Sequence, residues 1–422
     1  MVATVTNSMP ASAGQGISVP RRRRDARIDA FRGLALAMIF INHMPGNPYE
    51  KYTIGNWGFS DAAEGFFIMS GIAAGVAYAR GLEVTQRVRA GLWPGVAPIW
   101  RRAWTLYLVH LFLTVCVIAI FGVAAAAFGK PDLLQMHNLG AVFERPGDVL
   151  FAIPLLGHQI GYVNILPVYC VLLLFTPAAI LIGLRRPMLL LGLALALWFA
   201  AGWWRVSFSN FPEGGVWFFN PLSWQLIFVI GLLIGLRLRR GERLVPRSQW
   251  LFGLASAFLV FVVAWKHMPE VTAFMNHQMW RLAEAGAPFH VVSHEKSYLA
   301  LPRLLHSLAL VYVLSCLPIV VRFSESRAAA PLRLMGQHGL VVFATGTLIS
   351  LGFQTLIHGF GQTPWLGWIL PPAGLAMLLA TAWVAQWRRQ QEGGLLPSRM
   401  PPLSPFARRE RVGFAEAGAP DR

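Results

Sequence analysis

Ten apolar stretches of membrane-spanning length follow one another along this chain, separated by arginine-bearing connections. They fall near 29–45, 60–79, 103–128, 162–184, 187–204, 220–236, 250–266, 302–321, 336–357 and 365–387. A bilayer core offers no water to unpaired backbone groups, so an apolar stretch of about 20 residues has to cross it as a helix. The expected fold is therefore all-α, a polytopic transmembrane helix bundle of about ten spans. Composition agrees: 55% of the 422 residues are hydrophobic and only 13% charged, where soluble domains carry about a quarter charged residues. A further segment at 148–161, interrupted by Pro154, is expected to re-enter or to lie at the interface without changing the parity.

The arginines set the orientation. Alternate connections hold Arg80, Arg87, Arg89, Arg101 and Arg102, then Arg185 and Arg186, then Arg237, Arg239, Arg240, Arg243 and Arg247, then Arg322, Arg327 and Arg333. The intervening ones, longer in total, hold only Lys51, Lys130, Arg145, Arg205, Lys266, Arg281 and Lys296. By the positive-inside rule the first set faces the cytoplasm, and both termini with it. The same placement accounts for the net charge of +17 without nucleic acid as a partner. Residues 1–24 end in four arginines and lack an apolar core, so a disordered cytoplasmic tail is expected there rather than a cleaved signal. A membrane domain over 25–389 and a second disordered cytoplasmic tail over 390–422 complete the division. Cys116, Cys170 and Cys316 stand far apart in apolar runs, which gives neither a disulfide nor a metal site. The outer connection 267–301 gathers His267, His277, His290 and His294 at spacings that match no metal site, and a solvated polar loop is expected. No internal repeat is visible, which argues against an inverted-repeat transporter.

Ionisable residues inside apolar spans mark function by default, because they are costly there. The first span holds Asp29, Arg32 and His43. Eleven residues at 100° each return to within roughly 20° of the starting direction and rise about 16 Å, so Arg32 and His43 share a face at opposite depths. The second span opens with Asp61 and Glu64, followed on the same face by Gly71, Gly75 and Tyr78. The glycines admit a neighbouring helix at close range. A short outer loop joins the two spans, which brings His43 near Asp61 and Glu64. A carboxylate beside an imidazole fixes its tautomer and raises its basicity, as a general base requires. Asp61 and Glu64 fit equally well an N-cap with acidic residues in the first turn.

Arg24 through Ala35, Asn42-His43-Met44-Pro45 and Gly58 through Glu64 resemble the OpgC family, membrane proteins that succinylate osmoregulated periplasmic glucans, related to the wider acyltransferase-3 superfamily. Asn164 through Tyr169, Phe219 through Gln225, Pro302 through His306 and Gly336 through Leu340 extend the resemblance over residues 24 to about 387. The superfamily signature of Arg, ten residues and His is matched by Arg32 and His43, and the resemblance implies that His43 is the catalytic histidine.

What the resemblance implies is a multi-pass protein of the bacterial inner membrane, a succinyltransferase working on periplasmic glucan hydroxyls. Succinyl-CoA is then the acyl-donor substrate, with no permanently bound cofactor and no metal. Membrane lipids surround it, and a homo-oligomer is left open. The donor is cytoplasmic and the glucan is outside, so thioester and hydroxyl must meet within the membrane. Asp29, Arg32, Arg101, Arg102, Gln337 and His338 are the donor-side candidates. His43, with Asp61 and Glu64, is the catalytic group. Lys296, Arg303 and His306 are candidates for the acyl carboxylate or the developing oxyanion, and Trp224 and Gln225 for the sugar. The alternatives are an acyltransferase for another surface polysaccharide, and a proton-coupled transporter using Arg32, His43 and Glu64 as a relay.

Overall fold

The computed structural model describes residues 25–361 and 363–395, and the tails expected at 1–24 and 396–422 lie outside them. Ten long helices carry the architecture, one for each apolar stretch. They are α1 (Ala26–Asn42), α2 (Ala62–Leu82), α3 (Trp93–Phe128), α4 (Ile165–Arg185), α5 (Pro187–Trp203), α6 (Pro221–Arg239), α7 (Gln249–His267), α8 (Leu301–Cys316), α9 (Gly339–Phe360) and α10 (Pro364–Leu395). No strand occurs among the described residues beyond an isolated bridge between Ser209 and Val216.

Seven of these helices are long and apolar enough to cross a membrane, or eight if α8 and the helix after it form one bent span. The difference from ten lies in α1 and α5, each of 17 residues. At 1.5 Å per residue such a helix reaches about 26 Å, short of a hydrocarbon core of about 30 Å. α8 ends because Pro318 has no amide hydrogen and forces Leu317 into an extended conformation. The chain resumes as the short helix Pro318–Glu325 after a turn of 77°. α3 begins at Trp93, ten residues ahead of the expected start, so Arg101 and Arg102 lie inside the helix rather than in front of it. α10 runs on to Leu395, through the first residues of the expected tail.

α2 and α6 cross closely, and the crossing is made by glycines. Gly71 and Gly75 face Gly231 and Gly235; a Cβ on Gly71 would strike the Phe228 carbonyl, and one on Gly235 the Ile72 carbonyl. Two small-xxx-small stripes let the backbones touch, the device by which dispersion forces join helices where water supplies no drive. α1 is seated the same way on the short helix Ala330–Gln337, with Gly33 against the Leu332 carbonyl and Gly336 against that of Asp29. These crossings fix α2 against α6 and α1 against the helix Ala330–Gln337.

The outer connections are more structured than expected. The loop 267–301 contains a helix, Pro269–Glu284, started by a proline at its first position, and none of its residues is buried. Between α3 and α4 the chain folds through Pro131–Asn138, Gly140–Glu144 and Pro146–Ala152 before returning to the bundle at Asn164.

Candidate active site

Charges that are dear to bury must either pair or face a cavity. At the arginine-bearing end of the bundle they face a cavity. A space of about 890 Å³ is lined by Arg32, Arg102, Gln337 and His338, four of the six residues expected on the donor side. α10 adds Arg388 and Arg389 to its rim, and Tyr78 and Tyr169 stand on its walls. Along α2 the lining runs from Tyr78 inward to Phe66, twelve residues or about 18 Å of helix. It ends beside Ile165 and Leu166, at the outer start of α4. The cavity thus passes from a cationic rim to within one turn of Glu64.

Two donor-side expectations are corrected. Arg101 is exposed and outside the lining, because adjacent residues on a helix point about 100° apart and only Arg102 turns inward. Asp29 is 2% exposed and buried against the helix Ala330–Gln337, where Gly336 approaches its carbonyl. It does not line the cavity.

At the opposite end of the bundle the charges pair. Lys296 Nζ lies 2.5 Å from Asp61 Oδ2, and Arg303 Nη2 lies 3.1 Å from the same oxygen and 2.6 Å from Glu64 Oε1. Arg303 Nε also donates to Glu64 Oε1 at 2.8 Å. Both N-terminal roles of the acids are realised too: Asp61 accepts from the Ala63 amide and Glu64 from the Asp61 amide, a reciprocal capping box. Glu64 is 0% exposed, so its charge is admissible only because Arg303 is beside it.

That arrangement overturns the expected carboxylate–imidazole dyad. Asp61 and Glu64 are held by Lys296, Arg303 and their own helix start, and no hydrogen bond joins either to His43. Four charges, two of each sign, also leave no surplus cation among Asp61, Glu64, Lys296 and Arg303. The surplus comes from Lys266, whose Nζ donates to the carbonyls of Gly55 and Gly58 in the loop that leads to Ser60. His306, 5% exposed, shares a 2.6 Å hydrogen bond with Ser60 Oγ and so braces the same loop.

The sugar-side expectation is corrected as well. Trp224 is 0% exposed; it packs on Phe67 and Phe219, and its indole N–H donates to the Lys296 carbonyl at 2.9 Å. Gln225 donates to the carbonyls of Ala194 and Leu222. Trp224 therefore positions Lys296, and Gln225 ties α6 to α5, each satisfying a polar group inside the bundle.

His43 caps the C-terminal end of α1. Its ring packs at 4.4 Å against Tyr162, which in turn meets His137 at 4.9 Å, both distances between ring centroids. Gln354, on α9, donates its amide to the His43 carbonyl and places its Oε1 2.7 Å from His137 Nε2. Burial holds the His137 imidazole below the ordinary histidine pKa, opposed in part by that hydrogen bond. Tyr162 stands three residues ahead of Ile165, so His43 and the inner end of the cavity are separated by this one short stretch.

Tyr162, His137, Gln354, Lys266, Arg388 and Arg389 did not emerge from the sequence. Gln354 had a signal, an amide in the middle of an apolar span. The others lie in connections or at helix ends, where polar residues are ordinary. No group of three or more His, Cys, Asp or Glu side chains that could hold a metal ion occurs among the described residues.

The arrangement is that of a membrane protein in which a cavity with a cationic rim at one end of the bundle leads toward an imidazole near the other. No curated protein and no solved structure matches the chain. The OpgC protein family does, over residues 24–390, and membership suggests an acyltransferase for osmoregulated periplasmic glucans. On that match, which covers nearly the whole described bundle, the chain belongs to the OpgC protein family.

Proposed function

We propose that this protein is an inner-membrane O-acyltransferase that moves a succinyl group from cytoplasmic succinyl-CoA to hydroxyls of periplasmic glucan. The observation that carries the reading is the cavity that begins among Arg32, Arg102, Arg388 and Arg389 and ends at Ile165, three residues from Tyr162, whose ring packs on His43. A large polyanionic donor stays at the cationic rim, where guanidinium groups bind phosphates through charge-assisted hydrogen bonds. Its narrow thioester arm follows the apolar walls inward. At the outer end His43 takes the proton of a glucan hydroxyl as that oxygen attacks the thioester carbonyl. The carbon–sulfur bond then breaks, the ester forms, and the thiolate leaves with the proton. General-base assistance of this kind contributes about 10²–10⁴-fold. The Lys266–Lys296–Arg303 group, with one cation in excess of its two carboxylates, sits on the outer side where an acyl carboxylate would need a counter-charge.

The test is mass spectrometry of periplasmic glucans from cells with and without the gene. Succinyl esters are expected only in its presence; an unchanged ester content overturns the reading, and a different acyl mass redirects it. Purified protein should also transfer labelled succinyl groups in detergent without an ion gradient. The rim makes its own prediction. A charge-assisted hydrogen bond is worth about 1.5–3 kcal/mol, so replacing both Arg388 and Arg389 with Gln should raise the donor KM by on the order of tenfold or more. The turnover at saturation should hold, because the pair is remote from the reacting carbonyl. An unchanged KM removes the rim from donor binding.

A further inference from the structure

We infer that Gln354, His137 and Tyr162 form a clamp that fixes His43 from both sides, its backbone and its ring, and that they act as positioning residues for the transfer. The inference rests on His43 as the reacting imidazole, the reading given above.

The hydrogen atoms of the clamp follow from what each partner is able to do. The His43 carbonyl only accepts, so the Gln354 amide must turn its NH₂ toward it. Its carbonyl oxygen then faces His137 Nε2 at 2.7 Å, and since that oxygen also only accepts, the hydrogen lies on His137 Nε2. One buried glutamine, 7% exposed, thereby sets the imidazole tautomer of His137 and holds the last residue of the α1 cap. A helix end is where a backbone frays first, so a side chain that has to present a nitrogen accurately needs such a tie there.

Tyr162 completes the other side. Its ring lies between the two imidazoles, tilted by 55° to His43 and by 72° to His137. The backbone that brings it there is unusual. His137, Asn138 and Tyr162 have φ of 58°, 66° and 67°, in the left-handed region, which is uncommon for a residue as bulky as tyrosine. Such conformations persist only where surroundings over-determine them. Here they do: the Gly161 amide donates to the His137 carbonyl at 2.9 Å, Asn138 donates to the Gln159 carbonyl at 3.2 Å, and His158 Nε2 lies 3.0 Å from the Asn138 carbonyl. The two strained stretches are laced to each other, and what they present together is a ring against His43.

A clamp acts through the group it holds, and a displacement of about 1 Å at a reacting centre can cost on the order of 10²-fold. Tyr162→Ala and Gln354→Leu should each lower kcat for succinyl transfer by about 10–100-fold, with the donor KM within about twofold of wild type and the protein still purifying as a folded species. Tyr162→Phe should retain the wild-type rate, since the ring makes the contact. His137→Gln, which keeps an N–H for Gln354 Oε1, should retain far more activity than His137→Leu. In a His43→Ala background the Tyr162→Ala change should cost nothing further, because residues acting as a unit are non-additive. Full kcat in both Tyr162→Ala and Gln354→Leu overturns the clamp. So does a loss that His137→Gln fails to relieve relative to His137→Leu. Should Tyr162→Ala or Gln354→Leu not fold, the comparison of His137→Gln with His137→Leu still decides. Normal transfer by His43→Ala alone is a different outcome: it removes the reading of His43 itself.

Discussion

His43→Ala should lower succinyl transfer by about 10²–10⁴-fold, the usual worth of a positioned general base, while the protein inserts, folds and binds its donor as before. The separation of activity from stability follows from what the side chain touches. The carbonyl of residue 43, which takes the Gln354 hydrogen bond, survives any substitution. The ring contact with Tyr162 is what the variant loses, and an aromatic pair of this kind is worth about 0.5–1.5 kcal/mol. A loss of that size lowers a melting midpoint by a few degrees and leaves the bundle intact. Donor affinity should hold because the arginines proposed to meet the phosphates line the rim, at the other end of the cavity. The measurement is initial rate against succinyl-CoA concentration in detergent, alongside a thermal unfolding scan. Wild-type turnover from a folded His43→Ala protein removes the imidazole from the chemistry. A rate loss that merely tracks a large fall in melting temperature assigns His43 to structure.

The sequence made some of this legible and hid the rest for physical reasons. Each of the ten apolar stretches is a helix, because burying a backbone in hydrocarbon leaves the chain little else to do. The glycines at 71 and 75 announced a close helix crossing, but their partners Gly231 and Gly235 stand far off in sequence, and one chain alone does not say which stripes meet. Arg32, Arg102, Gln337 and His338 stood out as polar residues in or beside apolar spans, and they share one cavity. Trp224 was misread because an aromatic at an outer helix start looks like a platform for sugar. The same indole is an equally good core residue once Phe67 and Phe219 enclose it. Asp61 and Glu64 were misread for a related reason: proximity to His43 along a hairpin is local and visible, whereas Arg303 arrives from a helix more than two hundred residues away and wins both carboxylates.

That competition sets up the second large effect. Arg303→Met should destabilise the protein by about 3–5 kcal/mol, the cost of leaving a buried charge without its partner. Glu64 is fully buried and draws both its hydrogen bonds to charge from this one guanidinium, at 2.6 and 2.8 Å. Lys296 does not stand in, since its ammonium is paired with Asp61. Methionine fills the space of the arginine stem, so the loss is electrostatic more than steric. The decisive comparison is the double variant Arg303→Met with Glu64→Gln, in which the buried charge goes with its partner. It should recover most of the lost stability, because replacing both members of a buried pair is commonly near neutral. The neutral amide also still accepts the Asp61 N–H that Glu64 accepts now. Thermal unfolding of wild type, both single variants and the double variant in one detergent gives the coupling directly. A strong positive coupling between the two sites confirms the ion pair as the element that anchors α8 to the start of α2. Additive losses, with the double variant worse than either single one, would mean that Arg303 stabilises the bundle through contacts other than Glu64, and that the outer charge cluster is not the joint described here.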